Sequence, residues 1–210
     1  MGGAGFIHDN STILDVGSGE GHILKSLFAK HDSLIIHSVE PDQKSRDKLK
    51  TIHDNICVFD SMAEMPTDIK VDAVTLIEVI EHVDDPVTFM SEIKDKLKPG
   101  GKLFITTPAG DVTDNWFSRA VKSYISRFKV EKQSLGAYKS EFHIHFFTED
   151  SLQMCAKKAG FEDIKFEYID QLYPRDSYKG IDAFKRKLKT KLSLYLRGRS
   201  HLTGFIENTD

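Results

Sequence analysis

Short runs rich in Ile, Val, Leu, Phe and Thr alternate with longer amphipathic stretches along the first half of the chain. Five of the runs have the length and composition of strands, at residues 12–16, 34–40, 56–60, 71–77 and 101–107. Three stretches between them have a helical pattern, at residues 22–30, 42–53 and 87–97. Such alternation is typical of a parallel sheet with right-handed crossovers and helices on both faces. The pattern predicts an α/β fold with a Rossmann-like, doubly wound sheet.

The pattern changes after Thr107, and residues 108–147 show no clean period. It then returns as a predicted helix at 148–159, a strand at 163–169, a basic helix-like segment at 171–200 and a strand at 201–208. A chain of 210 residues fits one domain of ordinary size. We therefore expect one domain over residues 1–210, with an insertion at 108–147.

Composition and charge limit the class of partner. Apolar residues make up 40% and charged residues 29%, which is usual for a globular protein. No apolar run approaches the roughly 20 residues that span a bilayer, and the first ten residues lack a secretory signal pattern. The two cysteines show no CxxC spacing, which suits a reducing compartment. We expect a cytoplasmic protein.

The charge is unevenly distributed along the chain. Residues 171–210 carry nine Lys or Arg against four Asp or Glu, a local charge of nine minus four, or +5, in a chain of net charge −3. Only this tail would favour an anionic partner. Because the chain as a whole is acidic and has no recognised RNA-binding module, nucleic acid is not the expected partner.

Three glycines separate a strand-like run from a helix-like run in residues 13–24, "ILDVGSGEGHIL". A glycine-rich turn at this place directs free N–H groups toward the crevice beyond the strand ends, where open α/β sheets bind ligands. The spacing of Gly17, Gly19 and Gly21 is GxGxG, and His22 occupies the place of the last glycine in the dinucleotide fingerprint GxGxxG. The loop therefore predicts a nucleotide-type pocket that differs from a dinucleotide site.

Two carboxylates narrow the ligand further. Asp15 precedes the loop, where it would repel a phosphate but suits an ammonium or sulfonium group. Glu40 ends the second strand, where a carboxylate can accept hydrogen bonds from both ribose hydroxyls. The two residues together predict a nucleoside ligand with a positive charge.

In these motifs and their order the chain resembles the class I S-adenosylmethionine-dependent methyltransferases. The resemblance rests on "LDVGSGEG" (14–21), "VEPD" (39–42), "DSMAEMP" (60–66), "DAVTLIEVIEHVDDP" (72–86) and "LKPGGKLFITTP" (97–108), and "HFFTEDSLQMCAKKAGF" (145–161) extends it. It implies a seven-stranded sheet with an antiparallel last strand. It also implies S-adenosylmethionine as the methyl donor.

The resemblance assigns donor contacts to ten residues: Asp15, Gly17, Ser18, Gly19, Glu40, Pro41, Ser61, Met62, Ile77 and Glu78. The loop residues would approach the methionine and the ribose, with the aspartate orienting the ligand, and Glu40 would hold the ribose. The next three would flank the adenine, and the last two would border the donor methyl. Many relatives have an aspartate where this chain has Ser61, and Asp60 lies one place earlier.

The stretch "EVIEHV" supplies a second group of polar residues. In a helical turn, Glu78, Glu81 and His82 would share one face, and "EFHIHFF" adds His143 and His145, which would share one side of a strand. Three interpretations remain open. These residues orient backbone near the pocket; or His82 or His143 is a general base, with a reference pKa of roughly 6.5; or Glu78, Glu81, His82 and His143 bind a divalent cation.

The metal interpretation follows a likeness to the small-RNA 2′-O-methyltransferases. A Glu-x-x-Glu-His stretch also recurs in ubiquinone-biosynthesis O-methyltransferases, and "EVIEHVxDP" is common among relatives that are not metalloenzymes. A divalent metal is therefore not the favoured interpretation.

The resemblance implies methyl transfer to a hydroxyl of a small-molecule, sugar or lipid-linked acceptor, with residues 108–147 on the acceptor side. Two alternatives are a non-catalytic S-adenosylmethionine-binding regulatory subunit and a metal-dependent RNA 2′-O-methyltransferase. The basic stretch 184–199 has one apolar helix face. We expect it to dock on the sheet, and peripheral contact with an anionic membrane is the alternative.

Overall fold

A seven-stranded sheet forms the centre of the described part of the protein. The computed structural model describes residues 7–109, 144–162, 164–166 and 201–209. The strands are β1 (Thr12–Val16), β2 (Ile35–Val39), β3 (Ile56–Phe59), β4 (Val71–Ile77), β5 (Leu97–Pro108), β6 (Lys165–Phe166) and β7 (His201–Glu207). The helices are α1 (His22–Phe28), α2 (Gln43–Leu49), α3 (Pro86–Lys96) and α4 (Glu149–Lys158), with short 3₁₀ turns at Met62–Glu64 and Ile80–His82.

The strand order is β3-β2-β1-β4-β5-β7-β6. The pairs from β3 to β5 are parallel, whereas β7 runs antiparallel to both β5 and β6. The predicted doubly wound, mostly parallel sheet with an antiparallel last strand is confirmed. Since the strand order reverses between β1 and β4, a crevice opens beyond the carboxyl ends of these two strands.

Consecutive residues of β1 supply the cores on the two faces of the sheet. Ile13 belongs to a buried cluster with Leu24 of α1. Leu14 belongs to a second cluster, with Met90 of α3 and Leu152 of α4. Both β1 residues are fully buried, as expected for a central parallel strand with helices on both sides.

The helix predicted at 87–97 begins at Pro86, one residue earlier. Asp85 caps it, because its side chain accepts hydrogen bonds from the N–H groups of Val87 and Thr88, both at 3.1 Å. The helix ends at Lys96, and the following "LKPGG" opens β5. Gly100 therefore lies within the strand.

Candidate functional site

The residues predicted to contact the donor follow the carboxyl ends of four parallel strands. They are Asp15 within β1, Gly17, Ser18 and Gly19 after β1, Glu40 and Pro41 after β2, Ser61 and Met62 after β3, and Ile77 and Glu78 at the end of β4. Parallel strands carry their carboxyl ends to the same edge of a sheet. The structure thus brings these residues to one edge, around the crevice between β1 and β4. Their contacts with a donor remain predictions.

The first glycine of the loop is required by close packing. Gly17 has a φ of 74°, in the left-handed region that glycine adopts readily. Its N–H donates to the carbonyl oxygen of Val39 at 2.8 Å. A Cβ at this position would lie 2.5 Å from Cγ2 of Val79, which follows β4. Only glycine lets the ends of β1, β2 and β4 approach each other this closely.

Glu40 holds the glycine loop through its carboxylate. Its Oε2 accepts from the N–H of Gly19 at 2.7 Å, and its Oε1 accepts from the N–H of Asp42 at 2.9 Å. Glu40 is buried. A carboxylate offers about four acceptor positions, so about two remain for further donors. The side chain that was predicted to hold a ribose therefore also shapes the loop beneath it.

A short chain of hydroxyls connects the loop to β2. Ser38 donates its hydroxyl hydrogen to Oγ of Ser18 at 2.7 Å, and Ser18 Oγ donates to the main-chain oxygen of Asp15 at 3.1 Å. Ser38 is fully buried. Because each hydroxyl has a partner, the polar residues cost little in this buried place.

Asp15 is a buried carboxylate beneath the loop, only 3% exposed. The hydroxyl of Thr75 in β4 donates to its Oδ1. Burial raises the pKa of Asp15 to about 6, the nearby hydroxyls of Thr75 and Ser18 oppose the rise, and the Glu40 carboxylate adds to it. A buried carboxylate without a described cationic partner would favour a positively charged ligand in the adjoining crevice.

The sequence interpretation missed Ser38 and Thr75. Both are the register partners of Asp15 in the neighbouring strands. A hydroxyl residue in a mainly apolar strand, level with the aspartate of the next strand, is a signal that alignment of the three strands would have found.

Glu78 has an unusual backbone at the end of β4. Its φ is 55°, a left-handed value that non-glycine residues rarely adopt and that proteins retain mainly at functional sites. Its N–H donates to the main-chain oxygen of Thr106, and Thr106 Oγ1 donates to its Oε1, both at 3.0 Å. Burial raises the pKa of Glu78 to about 7, with a further contribution from the Glu81 carboxylate.

The expected shared face of Glu78, Glu81 and His82 is wrong. The helical part of the segment is one 3₁₀ turn, Ile80–His82, and the left-handed Glu78 precedes it. Glu81 is 0% exposed and points inward, whereas the side chain of His82 is 39% exposed. The two side chains approach only to 4.0 Å, between His82 Nε2 and Glu81 Oε1.

Of the two later histidines, His143 lies outside the described residues and His145 lies within them. The N–H groups of Ile144 and His145 both donate to the main-chain oxygen of Glu81, at 2.9 and 3.1 Å. Nε2 of His145 and Oε1 of Glu81 are buried, and neither has a hydrogen-bond partner among the described residues. Residues 144 and 145, near the end of the predicted insertion, thus lie against the turn after β4.

Within the described ranges, no group of three or more His, Cys, Asp or Glu side chains is arranged to hold a metal ion. Because His143 falls outside these ranges, the four candidate metal ligands are not tested as a set, and metal binding stays the less favoured interpretation. No helix in the same ranges is long and apolar enough to cross a membrane. The basic segment at 171–200, including the possible membrane contact at 184–199, lies outside the described residues.

Three comparisons with known proteins give the family, similar proteins and similar folds. The family model described as "Methyltransferase domain" matches residues 4–165, more than half of the chain. A ubiquinone biosynthesis O-methyltransferase from Hydrogenovibrio crunogenus is 28% identical over 167 residues, which cover 72% of this chain and 62% of the relative. The mitochondrial protein of the same name from Dictyostelium discoideum is 32% identical over 110 residues, which cover 45% of this chain and 34% of the relative.

The chain therefore spans between about one third and two thirds of the length of these two relatives. Among solved structures, phosphoethanolamine N-methyltransferase 2 from Haemonchus contortus, in complex with S-adenosyl-L-methionine, superposes with a TM-score of 0.59 at 20% identity. That match covers 96% of this chain and 49% of the other. At this identity, the likeness concerns the fold.

The packing at Gly17 generates a stability prediction. Gly17→Ala combines left-handed strain of about 1–2 kcal/mol with overpacking of about 1–3 kcal/mol against Val79. Gly19→Ala is the matched control, because its φ is 51° and a Cβ there meets nothing within 4 Å. Urea unfolding should show the larger loss of unfolding free energy for Gly17→Ala. Equal losses in the two variants would contradict the packing explanation.

The raised pKa of Asp15 generates a second prediction. A carboxyl whose pKa rises from 3.8 to about 6 on folding binds its proton more tightly in the folded state. It therefore stabilises the fold at low pH, and this contribution is lost as the pH rises from about 4 to about 6, by at most about 3 kcal/mol. Relative to Asp15→Asn, the wild type should lose stability over this range in urea unfolding at successive pH values. Parallel pH profiles for the two proteins would exclude a raised pKa.

Proposed function

Because the chain belongs to the methyltransferase domain family, we propose that it binds S-adenosylmethionine in the crevice between β1 and β4 and transfers its methyl group to a hydroxyl of an organic acceptor. The observation that carries the proposal is the Glu40 carboxylate, which is bound to the N–H of Gly19 in the loop and retains acceptor capacity. Asp15 lies beneath the same loop. These features suit a nucleoside that carries a positive charge.

The donor would supply a methyl group on a sulfonium sulfur. Glu40 would accept hydrogen bonds from the ribose, and the loop would contact the methionine part. Ser61 and Met62 would flank the adenine, together with Pro41, and Ile77 and Glu78 would border the methyl group. The protein's main contribution would be to align the acceptor oxygen with the methyl carbon and the leaving sulfur.

A hydroxyl acceptor is supported by the relatives named ubiquinone biosynthesis O-methyltransferase. We propose a small-molecule, sugar or lipid-linked hydroxyl as the acceptor class. As the new carbon–oxygen bond forms and the carbon–sulfur bond breaks, the hydroxyl proton must leave. His82 is the proposed base, because its partly exposed imidazole lies on the turn after β4. His143 is the alternative base.

Calorimetry tests which donor the protein binds. The protein should bind S-adenosylmethionine and S-adenosylhomocysteine more tightly than NAD. Glu40→Ala should lose about 1–3 kcal/mol of affinity, the scale of a hydrogen bond to a charged group. Glu20→Ala is the matched control, because Glu20 lies in the same loop but is exposed and pairs with Lys48. Tighter binding of NAD, or equal losses in both variants, would contradict the proposal.

A second experiment separates turnover from binding alone. Methyl-labelled donor is incubated with the protein and with extracts of small molecules, sugars and lipids, and labelled products are identified by mass spectrometry. Transfer to a hydroxyl is expected, and binding without any transfer would indicate a regulatory subunit. Label in RNA would favour the nucleic-acid alternative.

The role of His82 has its own test. His82→Ala should lower turnover by roughly 10²–10⁴-fold, the usual contribution of a general base, while donor affinity stays near the wild-type value. A chelator should leave turnover unchanged. Loss of activity with chelator and its return with a divalent cation would instead support the metal interpretation, and unchanged turnover in His82→Ala would remove this histidine from the reaction.

A further inference from the structure

The two glutamates of "EVIEHV" are bound by consecutive threonines of β5. Thr106 Oγ1 donates to Glu78 Oε1, and Thr107 Oγ1 donates to Glu81 Oε2, each at 3.0 Å. Successive side chains of a strand project to opposite faces of the sheet. The carboxylates of Glu78 and Glu81 are therefore held by hydroxyls on opposite faces of β5, which does not favour a shared ligand.

Glu81 connects three parts of the structure. Its side chain binds Thr107 near the end of β5, and its main-chain oxygen accepts the N–H groups of Ile144 and His145. We call these three hydrogen bonds the Glu81 clamp. Next to the clamp, Ala109 and Phe147 form a parallel β-bridge. Residues 144–147 are thus fixed to the ends of β4 and β5 at two adjacent places.

We propose that Glu81 is a positioning residue, which fixes residues 144–147 against the ends of β4 and β5 and is not a ligand to metal or acceptor. Its carboxylate is fully buried, whereas Glu78 is half-buried and His82 is 39% exposed. A ligand that arrives at this turn would meet the latter two residues. The hydrogen bonds alone support the clamp. Its expected effect on catalysis rests in addition on the proposed methyl transfer.

The clamp also determines where two large apolar side chains point. Ile144 is 55% exposed and Phe146 is 61% exposed, whereas Phe147 packs in the core and is 6% exposed. Since the backbone of this segment is held by Glu81, a shift of the clamp would move both exposed side chains relative to the turn after β4.

Hydrogen exchange of the wild-type protein and its variants, followed by mass spectrometry, tests the clamp without any acceptor. Glu81→Ala and Thr107→Val should each speed exchange at residues 144–147 by at least about tenfold, because each removes a hydrogen bond to a buried carboxylate. Glu81→Gln should retain slow exchange, since its amide oxygen can still accept from Thr107. Thr106→Val is the matched control and should leave exchange at 144–147 unchanged.

Unchanged exchange in both Glu81→Ala and Thr107→Val would overturn the clamp. If Glu81→Ala does not fold, Thr107→Val and Glu81→Gln decide the question. Magnesium and manganese titrations by calorimetry provide a second measurement, because Glu81→Gln should bind either ion as the wild type does. An ion that binds the wild type and fails to bind Glu81→Gln would make Glu81 a ligand and contradict the proposal.

With an acceptor in hand, Glu81→Ala should raise the KM for the acceptor by about tenfold, the scale of one lost hydrogen bond to a charged group. Donor affinity should stay within about twofold of wild type, and Glu81→Gln should restore the KM. A Glu81→Gln variant whose turnover falls as far as that of Glu81→Ala would make the carboxylate itself catalytic. Absence of methyl transfer in every variant would count against the proposed function, whereas the exchange experiment would still decide the clamp.

Discussion

The parallel pairing of β1 with β2 on one side and with β4 on the other determines where the candidate site lies. It brings the carboxyl ends of the three strands to one edge, and it sets Asp15 level with Ser38 and Thr75. Three parts of the site follow these strand ends and therefore lie close together: the glycine loop, the Glu40 carboxylate and the turn after β4. A shift of one residue in either pairing would turn the polar side chains to the opposite face of the sheet and leave them among apolar groups.

Much of this arrangement could be predicted from the sequence, because β-branched runs, glycine spacing and helix caps are local signals. β1 and β4 have the predicted bounds, whereas the helix predicted at 42–53 ends at Leu49. The partners of Asp15 could not be predicted in the same way, since a buried serine or threonine gains its meaning from the register with another strand. Periodicity within one strand contains no information about that register.

The turn after β4 shows a different limit. Residue spacing predicted that Glu78, Glu81 and His82 would lie together, and this inference assumed regular helical geometry. A left-handed residue and a 3₁₀ turn replace the helix there, so spacing no longer fixes direction. Thr106 and Thr107 then hold the two carboxylates on different faces of β5. These tertiary hydrogen bonds decide which side chain turns inward. The six-residue stretch "EVIEHV" by itself contains no information about them.

The hydrogen bond between Gly19 and Glu40 has a consequence for the thermodynamics of binding. It fixes the glycine loop through a contact within the protein, so conformational entropy of those residues, about 1–2 kcal/mol for each, is lost during folding and not during association. Such preorganisation strengthens the binding of every nucleoside that the loop accepts. A substrate and the product formed from it would share that nucleoside, and the loop would hold both. In the proposed reaction, release of the product nucleoside would then limit the turnover rate, as product release does in many enzymes.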